Sequence, residues 1–397
     1  MKRVYLDYAA TTPVRPEVVE VMKPYWTEKF GNPSSLHSFG QEARQAVEQA
    51  REQIAGILAC LPEEIFFTGT TTTSDNLAIL GAARAAKKKN RGDHLITSSV
   101  EHHAVLDTCR VLEKEGFRLT ILPVNKFGEI DPGQVEKAID EKTVLVTIMY
   151  ANNEMGTIQP IKEISQVVKK KGVLIHTDRP GSGLLVHTDA AATVEYLDLK
   201  LENLGVDLMT IGAHKFGGPK GVGILYLKKG VEVEPVTFGG HHERGLWPGT
   251  EAVPLIVGMA EALGLAVSSQ SSAVSRVTKL GDKLIKGVLE KIPETILTGH
   301  PEKRLADIAS FCFKGAEGEA ILLRLDAEGI AASSGSACTS GTLEPSHVLL
   351  AMGIPPEIAH GSIRFSLGRE TTEEEIDYVL KVLPKIIDDI RKMAPKF

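Results

Sequence analysis

The stretch DLMTIGAHKFGGPKGVGILYL, residues 207–227, contains two short apolar runs on either side of a loop of glycines and small residues. Each run has the length and composition of a buried β-strand. His214 and Lys215 follow directly after the first run. Ligands in α/β sheets bind just beyond the carboxyl ends of the strands. Residues 207–227 therefore predict two strands with a ligand-binding loop between them.

Five further apolar runs precede this stretch, and most are separated by segments with helical periodicity. They occupy residues 64–68, 94–99, 118–124, 144–150 and 173–178. Strands that are buried on both faces, with helices between them, form a largely parallel, doubly wound sheet. The sequence therefore predicts an α/β fold.

The pattern changes near residue 255 to long helical segments with isolated strand-like runs. We expect a large domain over residues 15–255 and a smaller α+β domain made of residues 1–14 and 256–397. A length of 397 residues suits two such domains. Pro384 predicts a kink or a break in the last helix.

The composition excludes several classes of protein. Hydrophobic residues make up 43% of the chain and charged residues 24%, which is typical of a globular protein. A net charge of −6 argues against nucleic acid as a main partner. The amino-terminal segment reaches Asp7 without an apolar core. We therefore expect no signal peptide, no membrane span and a cytoplasmic location.

The four cysteines form no C-x-x-C pair, so we expect neither a disulfide framework nor a metal site. Cys60, Cys109 and Cys312 lie in apolar or helical contexts, where a free cysteine behaves as a small hydrophobic residue. Cys338 lies in SSGSACTSGTLEPS, a run of small and polar residues typical of an accessible loop. Cys338 is therefore the candidate reactive thiol.

Polar segments follow the predicted strands and form a recognisable set. A threonine-rich loop at 68–76 leads into a helix and offers backbone N–H groups to a phosphate. An aspartate ends an apolar run and can keep a ring nitrogen protonated, while Lys215 can form a Schiff base. A phosphate site, an aspartate and a lysine in this order are what pyridoxal phosphate requires.

Several stretches carry a resemblance to a known family. They are YLDYAATTP, FGNPSSLHSFG, EHHAVLDTCR, ANNEMGTIQPI, HTDAA, AHKFGGPKGVG, ERG, GTE, SSGSACTS, EPSHVL and SIRFSLGR. Over essentially its whole length the chain resembles the cysteine desulfurases of the NifS/IscS type, which are class V aminotransferases. The resemblance implies pyridoxal phosphate as cofactor and fold type I, with a mainly parallel seven-stranded sheet and a smaller α+β domain.

The resemblance also implies roles for individual residues. Lys215 would be the Schiff-base lysine, Cys338 the thiol that takes sulfur from L-cysteine as a persulfide, and His102 the residue that stacks on the ring and moves protons. The implied cofactor-binding set is Thr71, Thr72, His102, Asn153, Asp189, His214, Lys215 and, from the neighbouring subunit of a homodimer, Thr250. Arg364, with Asn153, would bind the substrate carboxylate.

The sequence His-Thr-Asp occurs twice, at 176–178 and at 187–189. Asp189 lies 26 positions before Lys215, which fits the family, whereas Asp178 lies 25 positions after Asn153, which fits equally well. About eleven residues have therefore been added between these two anchors. We assign the ring-nitrogen role to Asp189 because HTDAA matches the family better than HTDRPGSG, with Asp178 as the alternative.

Departures from the family pattern gather at the expected cofactor site. A β-branched Thr70 replaces a flexible glycine, Gly212 a phosphate-binding serine, Ala192 a glutamine and Trp247 an arginine. Loss of three hydrogen bonds predicts cofactor binding weaker by on the order of a hundredfold. Two alternatives to a cysteine desulfurase therefore remain: a selenocysteine lyase or aminotransferase of the same fold, and a catalytically impaired assembly partner.

The resemblance implies partners as well. An enzyme of this branch would hand sulfur to an iron–sulfur scaffold protein of the IscU/NifU type, or use it for thiolation. No nucleic acid or membrane is expected among the partners.

Overall fold

The computed structural model describes residues 3–175, 183–334 and 344–393. The strands are β1 (Val4–Tyr5), β2 (Ile65–Thr68), β3 (His94–Ser98), β4 (Arg118–Leu122), β5 (Thr143–Thr147), β6 (Leu185–Asp189), β7 (Leu208–Gly212), β8 (Gly223–Leu227), β9 (Thr295–Leu297), β10 (Ile308–Phe313), β11 (Ile330–Ala331) and β12 (Ser362–Ser366). The α-helices are α1 (Pro16–Met22), α2 (Pro24–Thr27), α3 (Ser38–Leu58), α4 (Thr71–Lys88), α5 (His103–Lys114), α6 (Pro132–Ala138), α7 (Ile161–Ile175), α8 (Leu201–Leu204), α9 (Val253–Lys291), α10 (Gly318–Ala327), α11 (His347–Ala351), α12 (Pro356–Ala359) and α13 (Glu373–Met393).

The central sheet has seven strands in the order β2-β8-β7-β6-β5-β3-β4. Only β8 runs antiparallel to its neighbours, so the sheet is mainly parallel, as predicted. Side chains alternate between two cores: Phe67 packs against the core that contains α3, α7 and α9, and Phe66 against the core that contains α4 and α5. Helices cover both faces, which is the doubly wound α/β arrangement.

One strand prediction was wrong. Residues 173–175 form the last turn of α7 rather than a strand, and residues 176–178 lie outside the described residues. The strand between β5 and β7 is β6, which begins at Leu185 and ends at Asp189. Asp189 therefore occupies the carboxyl end of a central parallel strand.

A second core is formed by β9, β10 and β12 with α10, α13 and the second half of α9. The long helix α9 contributes Met259 and Leu263 to the large-sheet core and Leu284 and Val288 to the second. It has the length and apolar composition of a membrane span, but its packing in both cores makes it a core helix. The domain boundary predicted at 255/256 falls within its first turn and remains a prediction.

The last helix is not split. α13 runs without interruption from Glu373 to Met393 with Pro384 inside it. Its apolar face buries Leu380, Leu383 and Ile387 in the second core. This packing compensates for the backbone hydrogen bond that a proline removes from a helix.

Candidate active site

The carboxyl ends of five strands meet at one edge of the large sheet. β3, β5, β6 and β7 are parallel, and β2 has the same direction because β8 runs antiparallel to both β2 and β7. The segments that follow these ends therefore lie side by side. They carry most of the residues that the sequence predicts for the site.

The threonine-rich loop caps α4. Thr70 Oγ1 accepts a hydrogen bond from Thr73 N (3.1 Å), and Thr73 Oγ1 accepts one from Thr70 N (2.9 Å). Thr70 has an extended backbone, with φ −163°, so the β-branched residue at this position causes no backbone strain. The other N–H groups of the first turn of α4 have no partner within the helix, and together with the helix dipole they favour an anion.

Thr71 and Gly212 fit each other closely. A Cβ at Gly212 would lie 2.0 Å from Thr71 Oγ1 and 3.8 Å from His214 Cδ2. Thr71 Oγ1 is itself buried and has no hydrogen-bond partner in residues 3–175, 183–334 and 344–393. The hydroxyl of Thr71 therefore occupies the space that a side chain at position 212 would take, and a polar group remains at this point of the site.

His214 and Lys215 follow β7 in a turn of 3-10 helix, Ala213–Lys215. Lys215 Nζ donates to the carbonyl oxygens of Ala9 (2.6 Å) and Ala10 (3.1 Å). His214 Nδ1 lies 3.2 Å from Thr11 Oγ1. Burial, with repulsion from Lys215, lowers the pKa of His214 to about 4, so its ring is neutral at physiological pH.

Asp189 lies at the centre of the edge and interacts with both His102 and Lys215. Burial raises the pKa of Asp189, while the N–H of Ala191 (2.8 Å), His102 and Lys215 lower it. Burial lowers the pKa of His102, although Asp189 opposes this shift. Ala104 N donates to His102 Nδ1 over 3.1 Å, so the neutral ring carries its proton on Nε2.

Arg364, on β12, reaches the same region from the second core and is 6% exposed. Its Nη1 donates to the backbone carbonyl of Asn153 and its Nη2 to Asp7 Oδ1, each over 2.9 Å. These two contacts orient the guanidinium. The sequence did not single out Asp7, although it lies in the YLDYAATTP stretch that carries the resemblance.

The residues that flank the Cys338 segment are held near this site. Cys338 itself lies outside the described residues. Before the segment, Ser333 pairs with Arg364 through two backbone hydrogen bonds of 3.1 and 2.7 Å. After it, His347 Nε2 lies 3.0 Å from the carbonyl oxygen of Glu101, directly before His102.

Two predicted cofactor-binding residues are exposed. Thr72 and Thr250 both present their side chains at the surface.

The three cysteines among the described residues are buried or half-buried. Burial raises the pKa of Cys60 and of Cys312 to about 12, and the pKa of Cys109 still further. None of these three is therefore a thiolate at physiological pH.

The structure describes the surroundings of two residues that depart from the family pattern, Ala192 and Trp247. Ala192 packs against a small apolar group that contains Ala151, Leu305 and Ile308, so this position supplies no hydrogen-bond donor. Trp247 lies beside the threonine-rich loop, with its Cζ2 3.7 Å from where a Cβ on Gly69 would be.

Sequence reasoning also missed a buried acid beside His102. Burial raises the pKa of Glu101 to about 8. Its carboxyl accepts hydrogen bonds from Ser98 Oγ (2.5 Å) and from Met149 N (2.9 Å). The only signal in the sequence was an acid in an otherwise small and polar segment at a strand end.

Comparison with known proteins gives a consistent result. The family described as aminotransferase class-V matches residues 4–379. The chain is 49% identical to the cysteine desulfurase IscS of Dictyoglomus turgidum over 100% of this chain and 97% of that protein. It is 48% identical to the cysteine desulfurase IscS of Methanosarcina thermophila over 99% and 94% of the two chains. A solved structure of a NifS-like protein superimposes with a TM-score of 0.90 at 40% identity, covering 98% of this chain and 100% of the other.

Proposed function

This chain belongs to the class V aminotransferase family, and from that premise we propose that it is a cysteine desulfurase. It converts L-cysteine to L-alanine and takes the sulfur as a persulfide on Cys338. The observation that carries the proposal is that Asp189 at the end of β6, His102 after β3 and Lys215 after β7 lie at the same carboxyl edge of the sheet. An acid, a histidine and a lysine at that edge are the groups that amino-acid chemistry on pyridoxal phosphate requires.

The described residues fit pyridoxal phosphate as the cofactor. The first turn of α4, the buried unpartnered hydroxyl of Thr71 and the ring of His214 would hold the phosphate, with Thr72 beside them. Asp189 would hold the ring nitrogen, and Lys215 would bind the aldehyde carbon. Because Thr71 fills the space beside Gly212, the loss of a serine there removes less binding energy than the sequence suggested.

The chemistry divides among these residues. When bound, the cofactor withdraws electrons from the substrate's α-carbon and so makes the α-proton acidic. Lys215 Nζ would take that proton and later return it to the α-carbon, so that the product is alanine. Asp189 keeps its negative charge beside a protonated ring nitrogen, and His102 can donate a proton from Nε2.

Arg364 binds the carboxylate of L-cysteine. Its guanidinium is oriented by Asp7 and by the carbonyl of Asn153 before substrate arrives. Such preorganisation reduces the entropy lost on binding, and a planar fork suits a carboxylate. The fixed carboxylate then sets the direction of the substrate thiol.

Cys338 receives the sulfur in this proposal. Its thiolate attacks the substrate sulfur, the carbon–sulfur bond breaks with its electron pair returning to carbon, and that carbon takes up a proton to become the methyl group of alanine. The anchoring of Ser333 on Arg364 and of His347 on Glu101 supports a position for this segment beside the substrate.

The proposal extends to partners and compartment. The exposed Thr250 supports a homodimer in which it serves the other subunit, and an iron–sulfur scaffold protein of the IscU/NifU type is the proposed sulfur acceptor. Cys60, Cys109 and Cys312 are free thiols, as is usual in a reducing cytoplasm.

The decisive experiment is borohydride reduction of the purified yellow protein, followed by peptide mapping. We expect the pyridoxyl label on Lys215, together with equimolar alanine and sulfide from L-cysteine in the presence of a thiol. Cys338→Ala should abolish sulfide release and retain the label, whereas the half-buried control Cys60→Ala should retain both. Absence of the label from Lys215 would contradict the proposal.

The pair Thr71 and Gly212 tests the phosphate site separately. Gly212→Ser should weaken cofactor binding by about tenfold or more, because the new side chain overlaps the hydroxyl of Thr71. Thr71→Ala would lose the hydrogen bond that its hydroxyl is proposed to make with the cofactor phosphate, worth about 1 kcal/mol or more. In the double variant the serine fills the vacated space, so affinity should return close to wild type. Additive losses, measured by titrating apoprotein with pyridoxal phosphate, would refute this exchange.

A further inference from the structure

A buried polar cluster lies between the large sheet and α4, on the same face of β6 as Asp189. We call it the Asp75 cluster; it consists of Asp75, Thr147, His187 and Thr210. Thr210 Oγ1 donates to Asp75 Oδ1 over 2.6 Å, and Thr147 Oγ1 lies 2.8 Å from His187 Nδ1. His187 Nε2 is 3.6 Å from Asp75 Oδ1. The cluster therefore joins α4 to the three central strands directly behind Asp189.

Two atoms of the Asp75 cluster are buried without a hydrogen-bond partner among the described residues: Asp75 Oδ2 and His187 Nε2. Asp75 is 1% exposed and His187 is fully buried. An ionised carboxylate in such a place is strongly destabilised unless a cation or several donors surround it. Within the described part of the chain, Asp75 has one donor, the hydroxyl of Thr210.

The charged groups that face Asp75 do not supply a cation. The neighbours that act on it are Asp189 at the end of β6 and Glu101 after β3, and both are carboxyls. Burial raises the pKa of Asp75 well above its ordinary value, and Asp189 raises it further, while Thr210 lowers it. His187 is no compensating charge, since burial lowers its pKa to about 3.

Asp189 is the better placed of the two aspartates to hold a negative charge. It accepts the N–H of Ala191 over 2.8 Å and interacts favourably with His102 and Lys215. Two carboxylates that share a low-dielectric region do not both ionise readily. A proton held by this pair therefore resides on Asp75.

We propose that Asp75 is a positioning residue that is held as a neutral acid against Thr210 and His187, so that Asp189 alone carries the negative charge facing the cofactor ring. One negative charge then matches one protonated ring nitrogen. The link to the ring rests on the proposed function. The proton on Asp75 does not, because it exists in the apoprotein as well.

The test is infrared spectroscopy of the apoprotein as a function of pH. A carbonyl band of a protonated carboxylic acid should be present at neutral pH in wild type and missing in Asp75→Asn. Glu101 gives a similar band of its own, which Glu101→Gln removes and Asp75→Asn leaves. If Asp75→Asn removes no such band, Asp75 is ionised and the proposal is wrong.

Two further variants leave Asp75 in place and so do not depend on the folding of Asp75→Asn. Asp189→Asn should lower the pH at which the Asp75 band disappears, because it removes the neighbouring negative charge. Thr210→Val should raise that pH, because it removes the hydroxyl that stabilises the carboxylate. Shifts in the same direction, or no shift in either variant, would overturn the proposal.

The cofactor supplies the last readout. In the yellow holoprotein, the visible spectrum should change at the pH at which the Asp75 band disappears, and Asp75→Asn should lack this change. An unchanged wild-type spectrum while Asp75 ionises would refute the proposed influence of Asp75 on the ring. A colourless protein whose Asp75 band still titrates as described would instead refute the proposed function alone.

Discussion

Residues 173–175 and residues 184–186 are both apolar and both precede the tripeptide His-Thr-Asp, but they occupy different environments. Val173 and Leu174 are 57% and 66% exposed in the last turn of α7. Leu184 and Val186 are each 1% exposed and pack in the large-sheet core. Composition alone does not distinguish the two runs, whereas the neighbouring strands do.

The difference lies in what each run contacts. Val186 pairs with Val146 of β5, and the tripeptide that follows reaches β7, where Asp189 pairs with Thr210. The run at 184–186 leads into a strand that pairs with β5 and β7. The similar run at 173–175 lies outside the sheet and forms the last turn of α7. Tertiary burial therefore selects which of two similar segments positions an acid for chemistry.

The largest effect should come from placing a charge in each run. Val186→Asp should destabilise the protein by about 3–5 kcal/mol, because it buries an unpaired carboxylate in the large-sheet core. Leu174→Asp should change stability by no more than about 0.5 kcal/mol, since that side chain is exposed. Urea unfolding measures both, and similar losses in the two variants would erase the distinction.

The two aspartates should differ next. Asp189→Asn should lower kcat by roughly 10- to 100-fold, because it removes the proposed charged partner of the cofactor's ring nitrogen. Asp178→Asn should leave kcat within about twofold of wild type. Steady-state alanine formation from L-cysteine is the measurement. A large loss in Asp178→Asn alone would transfer the ring-nitrogen role to the first tripeptide.

The histidines of the two tripeptides give a contrast in pH dependence. Burial lowers the pKa of His187 from 6.5 to about 3, so the unfolded chain binds a proton in this range that the folded protein does not. The stability contributed by neutral His187 is therefore complete above pH 6.5 and is lost as the pH falls towards 3. His187→Gln should flatten this acid limb of the stability curve. His176→Gln is the matched control, and an equal flattening there would contradict the assignment.

The smallest effect should come from removing the added length. Deletion of residues 176–186 joins Ile175 to His187 and restores both spacings around the tripeptide. Residues 173–175 are apolar enough to replace 184–186 beside β5. In doing so they would leave α7, which would lose its exposed last turn. We expect a folded protein with a melting temperature lower by a few degrees, or about 1 kcal/mol. A variant that fails to fold would show that the two runs are not interchangeable.

Much of the architecture could be predicted from the sequence because its signals are local. Apolar runs at strand length and helices between them specify the sheet, and the position of Lys215 just after β7 follows from it. The choice of Asp189 came instead from the family resemblance of HTDAA. The strand predicted at 173–178 was wrong because the apolar runs 173–175 and 184–186 are similar in composition. Neither composition nor periodicity indicates which of the two pairs with the neighbouring strands.

The site was less accessible to sequence reasoning because its important contacts join distant segments. The close fit of Thr71 and Gly212 can be recognised only once the two loops are known to touch. When Gly212 is considered alone, it resembles the loss of a phosphate-binding serine. Asp75 and Asp7 were overlooked for the same reason. Each acts through a partner more than a hundred positions away, Thr210 in one case and Arg364 in the other.

The continuity of α9 has a consequence for how the molecule melts. Its first half lies in the core of the large sheet and its second half in the second core. Neither core can therefore unfold without removing packing contacts from this shared helix. We therefore expect heat to dismantle the chain cooperatively, with a single calorimetric transition rather than two.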